Sequence, residues 1–295
     1  MVQKINPQSK FHSTVCSALL AVTLCLQSNI PVFAGISYAT ENAGTNNTSA
    51  TVPKEEWALI IGIDKFTDPD WQLNYASKDA RAFSELLKSK KGFKQDHVSL
   101  LTNEQCTIAE FRLAIESVGR KAAPSDTVLI YLRTRGVTES STDKQPYRKP
   151  FFAMSDTEPS HLSETSVPMG TFTAYLISKL EAHKIIVIAD TDFSAQAEVT
   201  FMDDLDKLRQ GQSLYMLSSC SSGELSWEST KLHSGIFTAE LLRALRSSPR
   251  DKSIIDDVGN SLRERVNSLA NTVRVGRSQN PSFASIHQNS GSCVW

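Results

Sequence analysis

The sequence predicts an α/β fold in which a mostly parallel central sheet is covered by helices on both faces. Three observations carry this. Runs of nearly unbroken apolar residues recur at 57–63, 127–132, 185–188 and 214–217. Strands apolar at every position are buried on both faces, as in a parallel sheet, whereas half-solvated antiparallel strands alternate. Between the runs lie stretches whose apolar residues return every three or four positions, as a helix with one buried face requires. Strands alternating with helices build layered α/β domains. With 295 residues, 40% hydrophobic and 21% charged, the chain can enclose one large core. A formal net charge of -1 creates no strong field, so nucleic acid is not a favoured partner.

The elements follow in order. Trp57 to Ile63 is a strand ending in Asp64, and residues 77–90 form a helix with Ala80, Phe83, Leu86 and Leu87 along one face. Val98 to Leu101 is a short strand. Thr107 and Glu110 have capping-box spacing and open a helix carrying Phe111, Leu113, Ala114 and Val118. Thr127 to Leu132 is the next strand, followed by a polar excursion over 136–150 and an extended piece at Phe151 to Met154. The helix 171–180 places Phe172, Leu176 and Leu180 four apart. Strands at Ile185 to Ile188 and Leu214 to Leu217 come next. A helix over 236–246 and one bearing Val258, Leu262, Val266 and Leu269 close the pattern.

Ahead of the domain, residues 1–34 read as an export signal. Lys4 and Lys10 supply a positive start, Ala18 to Leu26 a short apolar run broken only by Thr23, and Val32-Phe33-Ala34 a small-residue cleavage site. An alternative site ends at Ala39, and a disordered tail is the competing reading. The run is too short to span a bilayer. Residues 35–55, rich in Ala, Asn, Thr and Ser, read as a flexible linker, 56–285 as the folded domain and 286–295 as a tail. The expected location is secreted or periplasmic. Loss of two lysines takes the formal charge from -1 to -3. Cys106, Cys220 and Cys293 then remain, enough for one bridge of unassigned pairing but not for a disulfide scaffold.

Folds of this class bind ligands at the carboxyl ends of their strands. There the chain carries Arg133-Thr134-Arg135-Gly136 and Asp190-Thr191-Asp192-Phe193-Ser194. Arg135 and Asp192 either pair across one cleft or stand as separate solvated charges. Asp190 and Asp192, with Asp203, Asp204 and Asp206 in the next loop, lack the spacing of a calcium loop and read as a solvated acidic stretch; no metal or cofactor is expected. Ser194, Ser218, Ser219, Ser221 and Ser222 would each need a base within reach to act as a nucleophile. His161, His183, His233 and His287 stand at no strand end. Cys220 reads as structural or disulfide-linked, since a reactive thiolate needs local positive potential or a histidine.

At these strand ends the chain resembles the caspase-like peptidases, particularly bacterial caspase domains and metacaspases. Ala58-Leu59-Ile60-Ile61-Gly62-Ile63 with Lys78-Asp79-Ala80-Arg81 is similar to the family's opening strand and first helix. Leu100 to Glu104, Gly235-Ile236-Phe237-Thr238 with Leu241 to Leu245, and Gln279-Asn280-Pro281-Ser282-Phe283 follow in the family's order over about residues 56–284. The resemblance implies a caspase-like three-layer sandwich. It places Arg135 where the family has its catalytic histidine and Asp192 where it has its cysteine. The flanking family glycines are replaced by Thr134 and Ala195. Arginine stays protonated and cannot act as a general base, and a carboxylate is a far poorer attacker of an amide than a thiolate. The resemblance also implies that Asp190 and Glu228 match acids of a pocket for basic residues, while a third such position is Ser222. The expectation is an inactive pseudopeptidase that binds a peptide or protein, an active relative being one candidate, in a cleft formed by Arg135, Asp190, Asp192, Ser222 and Glu228. A residual or non-cysteine peptidase with a basic preference, and a structural domain with a vestigial cleft, are the alternatives.

Overall fold

The computed structural model describes residues 54–139, 149–198, 201–247, 260–273, 276–287 and 291–294. The expected signal, nearly all of the linker, most of the polar excursion and Val258 lie outside the described residues.

The chain opens with β1 (Glu56–Gly62), α1 (Ala76–Leu86), β2 (Val98–Thr102), α2 (Ile108–Lys121) and β3 (Thr127–Arg133). Three short strands follow: β4 (Gly136–Thr138), β5 (Pro150–Ala153) and, after a single turn α3 (Leu162–Thr165), β6 (Ser166–Pro168). Next come α4 (Phe172–Lys179), β7 (Lys184–Asp190), the turn α5 (Phe201–Asp204) and β8 (Ser213–Ser218). A two-residue pair, β9 (Glu228–Ser229) and β10 (Ser234–Gly235), leads into α6 (Ile236–Ser247), then α7 (Asn260–Val273), β11 (Ser282–His287) and β12 (Gly291–Val294). The main sheet runs β12-β11-β8-β7-β3-β1-β2. Its five strands from β8 to β2 are parallel, and β11 and β12 are antiparallel additions. The sheet therefore continues into the segment 286–295 that reads as a tail.

Both faces of the parallel strands are covered, which explains their unbroken apolar runs. Leu59, Ile61, Ile130, Leu132 and Val187 point to one side, where they meet Phe111 and Ile115 of α2 and Phe172 and Leu176 of α4. Ala58, Ile60, Leu129, Tyr131, Ile186 and Ile188 point to the other, against Phe83 of α1, Phe237 and Leu241 of α6, and Leu262 and Val266 of α7. The period of two along each strand sorts one run of residues into two cores.

Helix starts are held from a distance. Thr107 Oγ1 accepts from Glu110 N at 3.1 Å, as the capping spacing predicts. Helix α1 has no such local cap. Its first N–H groups are instead met by Asp64, at the end of β1, whose carboxylate accepts from Ala76 N at 2.5 Å and Ser77 N at 3.1 Å. Leu113 does not lie on the inner face of α2: it is 54% exposed. The buried residues are Phe111, Ile115 and Val118, and a step of two residues turns Leu113 roughly 200° from Phe111. The excursion after β3 is also more regular than its polarity suggests, because β4 pairs with β5 and β5 with β6 in a small antiparallel sheet.

Phe83 is fully buried and stacks on Tyr131 with ring centroids 4.6 Å apart. Phe83→Ala is expected to cost about 3–5 kcal/mol in urea unfolding, while Leu113→Ala stays within about 0.5 kcal/mol of the parent chain. Equal costs for the two would contradict this assignment of faces.

Candidate functional site

On β3, Leu129 and Tyr131 face α1 and α6, so the next residue in phase, Arg133, points the same way. It lies opposite Asp190 in the sheet register. The Arg133 side chain is buried and meets three carboxylates from three elements. Nη1 is 3.2 Å from Asp190 Oδ1, Nη2 is 3.2 Å from Glu228 Oε1, and Nε is 3.7 Å from Asp79 Oδ2. Each acid is held in turn. Asp190 accepts from Ser226 Oγ at 2.5 Å and Thr238 Oγ1 at 2.6 Å. Asp79 accepts from Ser234 Oγ at 2.6 Å and Gly235 N at 2.8 Å. Glu228 accepts from the backbone of Asn74 and Tyr75 at 3.0 and 3.1 Å, at the entry to α1. Only a glycine fits at position 235, because a Cβ there would stand 2.9 Å from both Arg133 Nη2 and Asp190 Oδ2.

One cation among three acids leaves an excess of negative charge. Burial alone would lower the pKa of Arg133, but Asp190, Glu228 and Asp79 outweigh it and keep the guanidinium charged. Asp79 carries the excess. Burial raises its pKa to about 6, against the opposing pull of Arg133, Ser234 and Gly235.

Arg135 stands one step beyond this cluster. The intervening Thr134 is buried and donates to Ala153 O at 2.5 Å, while Ala153 N donates to Arg135 O at 2.9 Å. These bonds tie the end of β3 to β5 and aim Arg135 at the loop after β7. Arg135 Nη1 is 3.3 Å from Asp192 Oδ2, so the two charges pair across the strand ends. The other carboxylate oxygen, Oδ1, accepts from Ser226 N at 2.9 Å. Burial pushes the pKa of Asp192 up, and Arg135 and the Ser226 N–H pull against it. Close approach here depends on Gly136, where a Cβ would stand 2.2 Å from the Asp192 carbonyl oxygen. The next residue, Phe193, has φ of 59°, a region that a bulky side chain enters only under constraint. Its N–H donates to Glu224 O at 3.0 Å.

The five residues expected to form one cleft are therefore divided. Arg135 and Asp192 pair at the mouth, and Asp190 and Glu228 lie beneath with Arg133. Ser222 is exposed in the turn after β8, where its carbonyl accepts from Gln196. The acids expected to receive a basic side chain are already matched by one from the same chain. Arg133 is the residue that sequence reasoning missed. Its signal was a charge at the end of an apolar strand, in phase with buried neighbours.

The other expectations place as follows. Ser194 is buried, 3.4 Å from Ser219 Oγ and 3.6 Å from Cys220 Sγ. Ser218 donates to Glu198 at 2.5 Å and Ser221 to the Asn280 carbonyl at 3.3 Å. His161 is exposed beside Glu158, His183 and His233 are exposed, and His287 bonds Ser213. A further histidine, His97, stacks on Trp57 with centroids 3.7 Å apart, just before β2 begins. Asp204 turns inward to Thr173 and Lys207, whereas Asp203 and Asp206 are exposed. Cys106 and Cys220 are buried free thiols, so the bridge expected among the three cysteines does not join these two; the Cys293 side chain lies outside the described residues. Burial pushes the Cys220 thiol up to about 11, which leaves it protonated and inert at neutral pH.

The family model described as "Caspase domain" matches residues 55–290. The crystal structure of protein GSU0716 from Geobacter sulfurreducens is similar in fold, with a TM-score of 0.55. It is 17% identical, and the alignment covers 79% of this chain and 93% of that one. No curated protein matches the chain at a significant level.

Removing Arg133 would leave three acids facing one another without water. Arg133→Leu is expected to cost about 3–5 kcal/mol in urea unfolding at pH 7; a cost below about 1 kcal/mol would mean the cluster is not what holds these elements. The Asp79 pKa in the folded chain lies above its ordinary 3.8, so its contribution to stability is fully present below about pH 4 and lost as pH rises through 6. Between pH 4 and pH 7, Asp79→Asn should therefore gain roughly 2–3 kcal/mol relative to the parent chain, as read by unfolding at each pH.

Proposed function

The chain belongs to the caspase-domain family, and from that premise we propose that it is a catalytically silent member, exported from the cytoplasm, that binds a peptide or protein partner at the mouth of its strand-end cleft. The observation that carries this reading is the ion pair of Arg135 and Asp192. By the resemblance, these residues occupy the positions of the family's base and nucleophile. An arginine cannot take a proton at neutral pH. Asp192 is 5% exposed, and its two oxygens are engaged by Arg135 and the Ser226 N–H, so the carboxylate is shielded from a scissile carbonyl and its charge is already matched. Ser194 and Cys220 supply no substitute, because both are buried and bonded to one another and to backbone rather than to a histidine.

A partner would meet Arg135, which is one third exposed, before it met any acid of the site. Asp190 and Glu228 are held by Arg133, which argues against a preference for basic side chains. An active relative is one such partner. Export rests on the pattern of residues 1–34. Among the described residues no helix is long and apolar enough to cross a membrane.

The purified chain should release no product above background from a peptide library that includes arginine and lysine at the cleaved position, with or without calcium. The Asp192→Ala variant should be indistinguishable from it. Turnover that disappears in Asp192→Ala would overturn this reading.

A further inference from the structure

On the face that carries α2 and α4 lies a cavity of about 260 Å³, whose lining includes neither Arg135 nor Asp192. Phe111, Val167 and Phe172 form apolar walls, and Arg112, Thr171 and Tyr175 supply polar groups. The volume is at the small end for ligand sites and holds roughly a dozen non-hydrogen atoms.

Two of the polar groups lack partners among the described residues. Arg112 is exposed and makes no ion pair or hydrogen bond among the described residues. Glu116, one turn further along α2, is engaged by Lys179 at 3.2 Å and lies 4.0 Å from Arg120, so its charge is taken up by other cations. The Tyr175 hydroxyl is shielded from solvent and has no hydrogen-bond partner among the described residues. Burial pushes its pKa up, as does Glu116, which leaves the hydroxyl a donor at neutral pH. An unpaired donor of this kind is costly unless something accepts from it.

The neighbouring edge of β6 is a poor template for a peptide strand. Pro168 has no N–H, and Ser166 donates its own to the Leu162 carbonyl. The cavity suits a compact body with an anionic end better than an extended chain.

We propose that this cavity binds an apolar carboxylic acid, its aromatic or branched aliphatic body against Phe111, Val167 and Phe172 and its carboxylate toward Arg112. Such an acid is either a free small molecule or the terminal residue of a peptide. The reading is independent of the strand-end cleft.

Titration calorimetry on the full chain tests it with 3-phenylpropanoate, its neutral amide, and N-acetylphenylalanine as a mimic of a peptide terminus. Saturable binding of 3-phenylpropanoate is expected, weakened about tenfold in the amide and about tenfold again by Arg112→Gln against the acid. Thr171→Trp, at an exposed position on the rim, should abolish binding while leaving the melting temperature unchanged. N-acetylphenylalanine binding as well as the simple acid assigns the site to peptide termini, and weaker binding assigns it to free acids. The proposal is overturned if neither acid saturates below about 10 mM, if the amide binds as well as the acid, or if Arg112→Gln and Thr171→Trp leave binding intact.

Discussion

A guanidinium taken out of water must be matched by charge and hydrogen bonds, and Arg133 imposes that demand on three elements at once. Asp190 comes from β7, Asp79 from α1 and Glu228 from β9. Each acid then fixes something else. Asp79 holds Ser234 and Gly235, which lead into α6. Glu228 holds Asn74 and Tyr75, which lead into α1. Asp190 holds Thr238 in the first turn of α6 and Ser226 in the loop after β8. The same Ser226 gives its N–H to Asp192. Hydrophobic burial brings the layers together, but it is non-directional. The charge cluster is what sets the helix starts relative to the strand ends.

The layer above Arg133 follows from this. Arg135 and Asp192 extend from strands whose ends are already pinned, with Thr134 tied to β5 and Phe193 tied to Glu224. The pair need not supply the force that assembles the site, and its net contribution to stability has no fixed sign in such a setting. Its effect is chemical. It places a permanent cation and an engaged carboxylate side by side at the strand ends. Gly136 is what lets the two segments approach so closely, since a Cβ there would meet the Asp192 carbonyl oxygen.

Most of the architecture was legible because strand and helix periods are local properties. The runs at 127–132 and 185–188 named both faces of the sheet, and Thr107 marked the start of α2. Leu113 could not be assigned to a face, since an apolar residue in a helix does not reveal which face it is on until its neighbours are placed; Phe111, Ile115 and Val118 define the buried one. β5 was legible as an extended piece, but β4 and β6 were hidden because strands of three residues are too short to show alternation. In the site, the pairing of Arg135 with Asp192 could be named but not decided, since strand order and register determine it. Arg133 was passed over for a related reason. A charged residue ending a strand is ordinarily solvated, and only the convergence of α1 and the β9–β10 pair over it makes it a core residue. Ser222 failed differently: a position in a loop carries no information about where the loop points.

Arg135 and Asp192 make sense together more than singly. Asp192 is nearly as buried as Asp190, and burial raises its pKa, so without Arg135 it would keep one backbone donor and only the weaker pull of Arg133, which three other acids already share. Arg135 without Asp192 would lose its one described anionic partner and face the cleft as an open charge. Each residue relieves a cost created by the other, so the pair is internally consistent. What Arg135 leaves accessible is about a third of its side chain, set on pinned strand ends. A group held in this way would meet a partner with its geometry fixed in advance, and preorganisation of this kind lets a small contact count toward affinity.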